Sequence, residues 1–391
     1  MGWMNMLAIL HFVLICATAV YFLGLFLFFI GLFFPNKNRQ NQKYFVSIVI
    51  AVRNEEKNIA NLLSDLTKQT YPEDMHEIIV VDDHSEDRTD KVVREFVKRF
   101  SNIHSIHVSQ TEEDLTAKKN AIYQGIQNSQ GKIILTTDGD CRVLSTWVET
   151  MISYFTPKVG MVVGFSQLGR RKEKHALFQQ LQAIDFLSLM AAAQGSSNLG
   201  WPLAASGQNL AYRREAFQQV GGFSQIGHRI SGDDVLLLQL IHKKTPWKIR
   251  FAPSDKCYNT SLPERNFGSF LNQRKRWASN GSYQIKLNII FFFFILTTFL
   301  LNLSLFAVLP ISFILSRDPF LPILCLVMKL IAEGCIATKG CRVYGRTDLL
   351  KVFPLWFILQ IPYVVFIGLL GSVGTFIWKR RTHSPGRGEK S

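Results

Sequence analysis

Residues 46–56 read VSIVIAVRNEE, and this stretch decides the fold class. Its first seven residues form a nearly unbroken apolar run, which is typical of a strand buried on both faces of a parallel sheet. A polar cluster, Arg53-Asn54-Glu55-Glu56, follows directly. Ligands of parallel α/β sheets bind beyond the carboxyl ends of the strands. The stretch therefore predicts both a buried strand and the edge of the sheet where a site would lie.

Similar strand-like runs alternate with amphipathic stretches between residues 44 and 286. This alternation predicts an α/β domain in which helices cover a largely parallel sheet. The predicted strands are Val46–Val52, Glu77–Val81, Ile103–Val108 and Ile133–Thr136. The predicted helices are about Glu56–Lys68, Arg88–Phe100 and Ala117–Asn128.

Apolar residues are concentrated at both ends of the 391-residue chain, which is 48% hydrophobic and contains 31 phenylalanines. The run from Leu7 to Phe34 exceeds the roughly 20 residues that cross a bilayer and is too long for a typical signal-peptide core. Residues 1–36 are therefore predicted to be an N-terminal membrane anchor. About three more helices are predicted in a C-terminal membrane region, residues 287–378, before a basic tail, 379–391. The apolar runs of this region are 289–315, 320–337 and 353–378.

Basic residues predict the orientation of the first anchor. No Lys or Arg precedes it, whereas Lys37, Arg39 and Lys43 follow it. Since basic residues accumulate on the cytoplasmic side, the N-terminus is predicted to lie outside and the chain from residue 44 in the cytoplasm. The protein is thus expected to be integral to a cell membrane, with a bacterial inner membrane as the expected setting.

The same rule conflicts with three C-terminal spans, because these would leave the basic residues 379–381 outside. Two explanations stay open. The first run, split near Asn302 and Pro310, is a hairpin or partly interfacial, or the middle run, which carries Lys329 and Glu333, does not cross. Lys329 and Glu333 are four residues apart and share a helix face. They form either a mutual pair or a polar lining for a lipid acceptor or a growing polymer.

Overall composition excludes several classes of protein. The net charge of +15 arises partly from Lys and Arg beside the apolar runs, where the positive-inside bias places them. Nucleic acid is therefore not a predicted partner, whereas membrane lipids are. The six cysteines are scattered without a CxxC pair, so neither a zinc site nor a disulfide framework is indicated. The soluble part is predicted to face a reducing compartment.

Two aspartates flank a glycine after the fourth predicted strand, as Asp138-Gly139-Asp140. Carboxylates placed in this way can coordinate a hard cation such as Mg²⁺ or Mn²⁺, and a bound cation would relieve their mutual repulsion. Surface loops also carry such pairs, so the motif alone is weakly specific.

Asp82 and Asp83 follow the second predicted strand. Their carboxylates can accept hydrogen bonds from a nucleotide base and ribose, or the segment can be a turn that caps the next helix. Both interpretations can hold together. Lys118 stands at the start of the third predicted helix, either as a solvated lysine of the first turn or as a cation that binds a donor.

Asp233 and Asp234 open an apolar helical run. The helix dipole favours acidic residues there without any function, but a carboxylate that faces a cleft can act as a general base. Residues 273–277 read QRKRW, a basic and aromatic stretch of the kind that anchors proteins at a membrane interface. Alternatively, Arg276 binds a diphosphate and Trp277 stacks on a sugar.

Taken in order, these motifs resemble those of family 2 glycosyltransferases, which are inverting enzymes of the GT-A fold. The resemblance is to the membrane-embedded branch that includes cellulose, hyaluronan and poly-N-acetylglucosamine synthases, and it covers about residues 45–280. The joint occurrence of four motifs is far more specific than any one of them. The motifs are residues 80–85 (VVDDHS), 138–140 (DGD), 232–234 (GDD) and 273–277 (QRKRW), with the Gly221–Phe223 turn and the Ser206–Asn209 loop as further similar features.

On the donor side, the resemblance implies a GT-A domain, of the Rossmann-like nucleotide-diphospho-sugar transferase type, over residues 44–286. It implies that Asp83, together with Asp82, contacts the base and ribose and that Lys118 is a further nucleotide contact. Asp138 and Asp140 would hold Mg²⁺ or Mn²⁺ and the diphosphate.

On the acceptor side, the resemblance makes Asp234 the general base, with Gln273, Arg276 and Trp277 around the diphosphate and the acceptor end. Relatives commonly have Glu where this chain has Asp233, a change that leaves the base in place and bears on the acceptor pocket. The implied reaction is a single in-line displacement at the anomeric carbon with inversion, in which the nucleoside diphosphate leaves.

The expected function is that of a hexosyltransferase of class EC 2.4. It would move a sugar from a nucleotide-diphospho-sugar, with UDP expected, to a saccharide or lipid-linked acceptor in cell-envelope or exopolysaccharide synthesis. The chief rival function is transfer of one sugar to a lipid, ceramide-type or polyprenyl-linked, with residues 178–193 as a surface toward the bilayer. An inactive membrane scaffold and a nucleotide-binding regulator are two weaker candidates. The donor sugar, the acceptor and the product length stay open.

Overall fold

The computed structural model describes residues 2–34, 40–108, 115–169, 173, 175–314, 318–373, 376–378 and 381–383. The predicted orientation signals Lys37 and Arg39 lie outside these residues, as do Lys379, Arg380 and positions 384–391 of the basic tail.

The centre of the molecule is a seven-stranded sheet. Its strands are β1 (Val46–Val52), β2 (His76–Asp82), β3 (Ile103–His107), β4 (Ile133–Thr136), β5 (Val159–Gly164), β7 (Leu210–Arg213) and β8 (Lys248–Ala252), in the spatial order β3-β2-β1-β4-β7-β5-β8. Within this sheet only β7 runs antiparallel to its neighbours β4 and β5, so the predicted mainly parallel α/β sheet is confirmed. Two small sheets pair β6 (Ser166–Leu168) with β9 (Asn259–Ser261) and β10 (Phe376–Trp378) with β11 (Arg381–His383).

Short helices cover the sheet, and long ones lie to one side of it. The helices of the central domain are α2 (Ile59–Leu66), α3 (Thr89–Val97), α4 (Ala117–Gln127), α5 (Trp147–Ser153), α6 (Leu177–Asn198), α7 (Arg214–Gln219), α8 (Val235–Lys244), α9 (Phe267–Ala278) and α10 (Gln284–Leu287). The long apolar helices are α1 (Gly2–Gly31), α11 (Ile289–Ile314), α12 (Phe320–Val343) and α13 (Phe353–Val373). Short 3₁₀ turns occur at Glu73–Met75, Asp255–Cys257 and Thr347–Val352.

The four predicted strands are present, each within one residue of its predicted ends. The first predicted helix is wrong at its start, because α2 begins at Ile59 rather than at Glu56. The amide of Glu56 donates to Asp87 Oδ2 at 3.2 Å, and the amide of Asn54 donates to Ser85 Oγ at 3.0 Å. This segment therefore pairs with the loop after β2 instead of entering the helix.

Strand β1 is buried on both faces, as its residue pattern predicts. Val46, Ile48 and Ile50 belong to the apolar core on one side of the sheet, while Val49 belongs to the core on the other side, as the two-residue period of a strand requires. The core that contains Val49 continues through α6 into the long apolar helices. The sheet and the long apolar helices therefore share one packed core.

Helix α6 joins the domain to the long helices. A Cβ atom on Gly31 of α1 would lie 2.1 Å from the carbonyl oxygen of Gly195 on α6, so the two backbones approach more closely than any side chain would allow. Asn198 Nδ2 also donates to the Gly31 carbonyl at 3.0 Å. Helix α12 packs against the same helix, where Gly340 contacts Ala191.

Among the described residues, four helices are long and apolar enough to cross a membrane, namely Ala8–Gly31, Ile289–Ile314, Phe320–Val343 and Thr347–Gly371. Helix α11 continues through Asn302 and Pro310, so the hairpin considered from the sequence does not form. Lys329 and Glu333 pair with each other at 2.8 Å inside α12. Tyr21 of α1 donates to the same glutamate at 2.6 Å, and the mutual-pair interpretation is thus the one the structure supports.

Candidate functional site

A cavity of about 660 Å³ lies at the carboxyl ends of β1, β2 and β4 and extends to α6, α1 and α11. It brings together four motifs that are far apart in the sequence. The predicted site residues that line it are Asp83, Lys118, Asp138, Asp140, Asp234, Gln273, Arg276 and Trp277. Asp82 does not line it. The carboxyl ends of the strands are thus where the site lies, as β1 predicts.

Asp82 and Asp83 have different surroundings. Asp82 Oδ1 accepts the amide of Ser85 at 2.9 Å and so shapes the turn after β2. Its carboxylate lies beside Asp90 and His107, where the ligand atoms of all three residues are within 4.8 Å of one another. Asp83 instead faces the cavity. Adjacent side chains at the end of a strand point to opposite faces, which is why only one of the two reaches the site.

Lys118 connects two of the acidic motifs. Its Nζ lies 2.6 Å from Asp138 Oδ1 and 3.1 Å from Asp233 Oδ2, and its side chain is 19% exposed. Burial alone would lower the pKa of Lys118, but Asp138 and Asp233 raise that pKa well above its ordinary value. Lys118 is therefore a permanent cation inside the cavity rather than a solvated lysine of the first helical turn.

Asp234 caps α8 and faces the cavity at the same time. Its Oδ1 accepts the amide of Val235 at 2.6 Å, and its Oδ2 accepts the amide of Gly207 at 2.9 Å. Both interpretations of this motif, a helix cap and a cleft carboxylate, are thus compatible with the structure. The two backbone donors hold the carboxylate in one orientation.

The two adjacent aspartates differ in their proton affinity. Burial and then the charge of Asp233 raise the pKa of Asp234. Burial would also raise the pKa of Asp233, but Lys118 and Lys119 outweigh it and lower that pKa below its ordinary value. Asp233 is therefore the permanent anion of the pair, and Asp234 is the member with the greater affinity for a proton. Such a difference between two neighbouring pKa values suits a site in which one group, here Asp234, takes up a proton during a reaction.

Lys119 is a functional candidate that the sequence did not reveal. It is fully buried, and its Nζ donates to the carbonyls of Arg229 and Ser231, the latter at 3.0 Å. Burial lowers the pKa of Lys119 to about 8. The lysine thus fixes the segment that leads into Asp233. The pair Lys118-Lys119 is visible in the sequence, but no local signal tells which of the two enters the cavity.

Helix α9 carries the QRKRW motif, and the side chains of the motif point to different sides of the helix. Gln273, Arg276 and Trp277 line the cavity, and Gln273 Nε2 donates to Glu264 Oε1 at 3.1 Å. Arg274 faces the other way and is buried. The motif is therefore more than an interfacial anchor.

Arg274 is held by Asp185 of another helix and by Trp277 of its own helix. Its guanidinium lies 3.0 Å from Asp185 of α6 and stacks over the Trp277 ring at 4.3 Å. Asp185 also accepts from Trp356 Nε1 of α13 at 3.1 Å. No motif of the sequence points to Asp185, because its partners are about 90 and 170 positions away along the chain.

The cavity has a polar end and an apolar end. The polar end also contains Arg53 and Glu55, which belong to the polar cluster after β1. The apolar end reaches the long helices, and Trp277 packs near Phe186 with ring centroids 5.9 Å apart. Its apolar lining includes Phe28 of α1, Phe186, Leu189 and Met190 of α6, and Phe291 of α11.

Asp138 and Asp140 fit a hard divalent cation by the chemistry of their donor atoms. Both carboxylates line the polar end of the cavity, and carboxylate oxygens are the ligands that Mg²⁺ and Mn²⁺ prefer. There is little room between them, because a Cβ atom on Gly139 would lie 3.0 Å from Val52 Cγ1 and 3.2 Å from Glu55 Cγ. Glycine here lets the two aspartates sit against the end of β1.

Comparison with known sequences identifies relatives among sugar-transferring proteins. Glycosyltransferase AglE of Haloferax volcanii is 30% identical over 255 residues, which are 62% of this chain and 74% of that protein. The β-monoglucosyldiacylglycerol synthase of Trichormus variabilis is 27% identical, over 63% of this chain and 50% of the synthase. The poly-β-1,6-N-acetyl-D-glucosamine synthase of Staphylococcus epidermidis is 25% identical, over 63% of this chain and 56% of the synthase. The chain therefore covers about half of either synthase.

The fold is shared with a solved glycosyltransferase. The mannosyltransferase PcManGT of Pyrobaculum calidifontis, solved in complex with GDP-Man and Mn²⁺, superimposes with a TM-score of 0.60 over 93% of this chain and 98% of the mannosyltransferase. The sequence identity is 16%, so the likeness concerns the fold alone. The predicted GT-A-type α/β fold with apolar flanking helices is confirmed.

The sequence profile of glycosyl transferase family 21 matches residues 6–380. This match includes the long helices at both ends as well as the α/β domain between them. The predicted kinship with GT-A glycosyltransferases is thus confirmed, while the finer placement in family 2 stays a prediction. Because the profile spans nearly the whole sequence, the chain belongs to glycosyl transferase family 21.

Proposed function

We propose that this protein transfers a sugar from a nucleotide-diphospho-sugar to an acceptor at the membrane, in one displacement with inversion. The observation that carries the proposal is the single cavity that gathers Asp83, Asp138, Asp140 and Asp234 from separate parts of the chain. Clustered carboxylates in one cleft are costly without positive partners. A phosphorylated donor with its divalent cation is the ligand class that such a site suits.

The donor would occupy the polar end of the cavity. Asp83 offers carboxylate oxygens to hydroxyl and N–H donors of a nucleoside, and Arg276 offers a guanidinium to phosphate oxygens. Mg²⁺ or Mn²⁺ held by Asp138 and Asp140 would neutralise the diphosphate as it leaves. UDP is the proposed nucleotide, and the structurally similar mannosyltransferase was solved with GDP-Man and Mn²⁺.

Asp234 is the proposed general base. In the proposed step the acceptor oxygen forms a bond to the anomeric carbon while the bond from that carbon to the phosphate oxygen breaks. The acceptor proton passes to Asp234, whose raised pKa favours its uptake. Hydrogen bonds from Gly207 and Val235 keep the carboxylate in place throughout.

A lipid-borne acceptor is favoured by the apolar end of the cavity. Phe28, Met190 and Phe291 come from three different helices, and two of these helices, α1 and α11, are long enough to cross a bilayer. An acceptor that reaches Asp234 from this direction would pass along apolar side chains. Transfer of one sugar to a lipid is therefore the favoured form of the activity, ahead of polymer synthesis.

The proposed location of the catalytic domain is the cytoplasm. The last two turns of α12 carry Lys339 and Arg342, and the connection from α12 to α13 contains Arg346 and Lys351. Arg346 donates to the carbonyl of Gly169 in the domain at 3.0 Å. Basic connections accumulate on the cytoplasmic side of a membrane. The domain would share that side.

A donor and acceptor screen tests the proposal. The full-length protein in detergent would receive UDP- and GDP-sugars, with membrane lipids or oligosaccharides, with and without Mg²⁺ or Mn²⁺. We expect release of the nucleoside diphosphate together with a lipid that is heavier by one sugar, and inversion at the anomeric carbon. Metal-dependent nucleotide binding without release, whichever acceptor is supplied, would instead favour a nucleotide-binding regulator.

A further inference from the structure

Helix α13 differs from the other long helices in how it meets the catalytic domain. Helix α1 contacts α6 at its C-terminal end through Gly31, and α12 does so at its C-terminal end, where Tyr344 donates to Gln194 at 2.7 Å. Helix α11 begins at the domain, directly after α10, which packs on α8. Each of these three helices therefore leaves the domain from one end, as a membrane-crossing helix would.

The first turns of α13 also lie at the domain. Trp356 Nε1 donates to Asp185 of α6 at 3.1 Å. On the neighbouring side, the Lys329 ammonium of α12 lies 4.6 Å from the centroid of the Phe357 ring. The start of α13 is thus fixed between α6 and α12.

The last turns of α13 lie at the domain as well. The Tyr363 ring stacks on Phe270 of α9 at 5.7 Å, and a Cβ atom on Gly371 would lie 2.5 Å from Ala278 Cβ. From 363 to 371 and from 270 to 278 each helix advances by eight positions, about 12 Å. Helices α13 and α9 therefore run side by side in the same direction.

Helix α9 is an integral part of the catalytic domain. It lines the cavity through Gln273, Arg276 and Trp277, and just after its end Asn280 Nδ2 donates to Ser231 Oγ at 2.7 Å. The end of α13 thus lies at the rim of the catalytic cavity. A helix that crossed the bilayer would end roughly 30 Å from the surface where it began.

The exposed face of α13 is apolar and regular. Its exposed large apolar residues are Leu355, Ile358, Leu359, Phe366, Leu369 and Leu370, which recur at the spacing of one helix face. Trp356, Tyr363 and Gly371, which touch the domain, lie on the adjoining side of the helix. Phe366 of the exposed face packs against Phe306 of α11, with ring centroids 6.1 Å apart. The exposed apolar sides of α1 and α11 belong to the same membrane region.

We propose that α13 does not cross the bilayer but lies along it on the side of the catalytic domain, with its exposed apolar face in the acyl chains of that leaflet. Of the four long helices described, only α1, α11 and α12 then cross. If α13 does not cross, a basic segment after it no longer conflicts with the positive-inside bias. Length and composition alone cannot reveal this, because α13 is long and apolar enough to span.

Epitope tags in the full-length protein test the proposal. One tag each would be inserted after Asp74 in the domain, at the exposed Gly345, at Asp318 between α11 and α12, and after Ser391. Antibody binding would be measured on sealed right-side-out membrane vesicles before and after permeabilisation. The readout does not depend on activity, so it can fail or succeed separately from the proposed function.

We expect the tag at Asp318 to be accessible in sealed vesicles and the other three to need permeabilisation. A C-terminal tag that is accessible in sealed vesicles would overturn the proposal, because α13 would then cross. A Gly345 tag that is accessible while the C-terminal tag is shielded would overturn it as well, since α13 would cross in the opposite direction.

Discussion

Lys118 Nζ lies 2.6 Å from Asp138 Oδ1 and 3.1 Å from Asp233 Oδ2. Lys118 thus connects the aspartate pair after β4 to the aspartate pair before α8. The charge at the centre of the cavity is therefore already partly balanced by the chain itself. Lys118 also reduces the repulsion between the carboxylates of Asp138 and Asp233.

Replacing Lys118 by Met should lower turnover by at least about tenfold, because hydrogen bonds to charged groups contribute about 1.5–3 kcal/mol. Lys118→Arg should recover part of the activity, since it keeps the charge but not the geometry. Steady-state kinetics of both variants provide the check. Equal activity of Lys118→Met and the unmodified protein would remove Lys118 from the site.

Asp140→Ala should weaken metal-dependent donor binding by at least about tenfold, the scale on which groups around a metal act. Isothermal calorimetry with a non-hydrolysable donor, at several Mn²⁺ concentrations, measures the change. Asp74→Ala serves as the matched control, because Asp74 is exposed in the turn before β2. Unchanged affinity of the Asp140 variant at all metal concentrations would count against the metal assignment.

Asp233→Asn should move the acid limb of the pH profile of kcat to lower pH. A base must be ionised to work, so activity falls as the pH drops through the pKa of Asp234. The charge of Asp233 raises that pKa, and its removal should lower it. If the acid limb moved to higher pH or did not move, a group other than Asp234 would control it.

Asp185→Asn should destabilise the protein by about 3–5 kcal/mol, because it leaves the buried Arg274 without its counter-ion. It should also raise KM for the acceptor, since α9 carries Trp277. Thermal unfolding in detergent measures the first effect. The double variant Asp185→Leu with Arg274→Met should recover most of the stability, and a double variant as unstable as Asp185→Asn would contradict the assigned pair.

The strands and the acidic motifs were predictable because their signals are local. Strand β1 is an apolar run that ends in a polar cluster. Asp138 and Asp140 follow strand β4, and Asp234 directly precedes helix α8. Once the sheet brings the strand ends together, those residues must meet. Strand β7 was not predicted, because Leu210–Arg213 is short and its antiparallel pairing depends on distant strands.

Several further features depend on which way a side chain faces in the assembled fold. Asp82 and Asp83 are adjacent and chemically identical, as are Lys118 and Lys119, yet one member of each pair lines the cavity and the other supports the nearby backbone. Asp185 acquires its role only when α6 and α9 pack together. No pattern within a few residues carries that information.

The most direct measurement compares Asp234→Asn with the unmodified protein for both donor affinity and release of nucleoside diphosphate. Asn keeps an oxygen that can accept from the Gly207 or Val235 amide, so the fold and the metal-dependent donor affinity should be retained. Release should fall by about 10²–10⁴-fold, the usual contribution of a general base, while the control Asp74→Asn should remain active. If affinity and release fell together, or if release persisted, Asp234 would not be the base and the proposed reaction centre would be wrong.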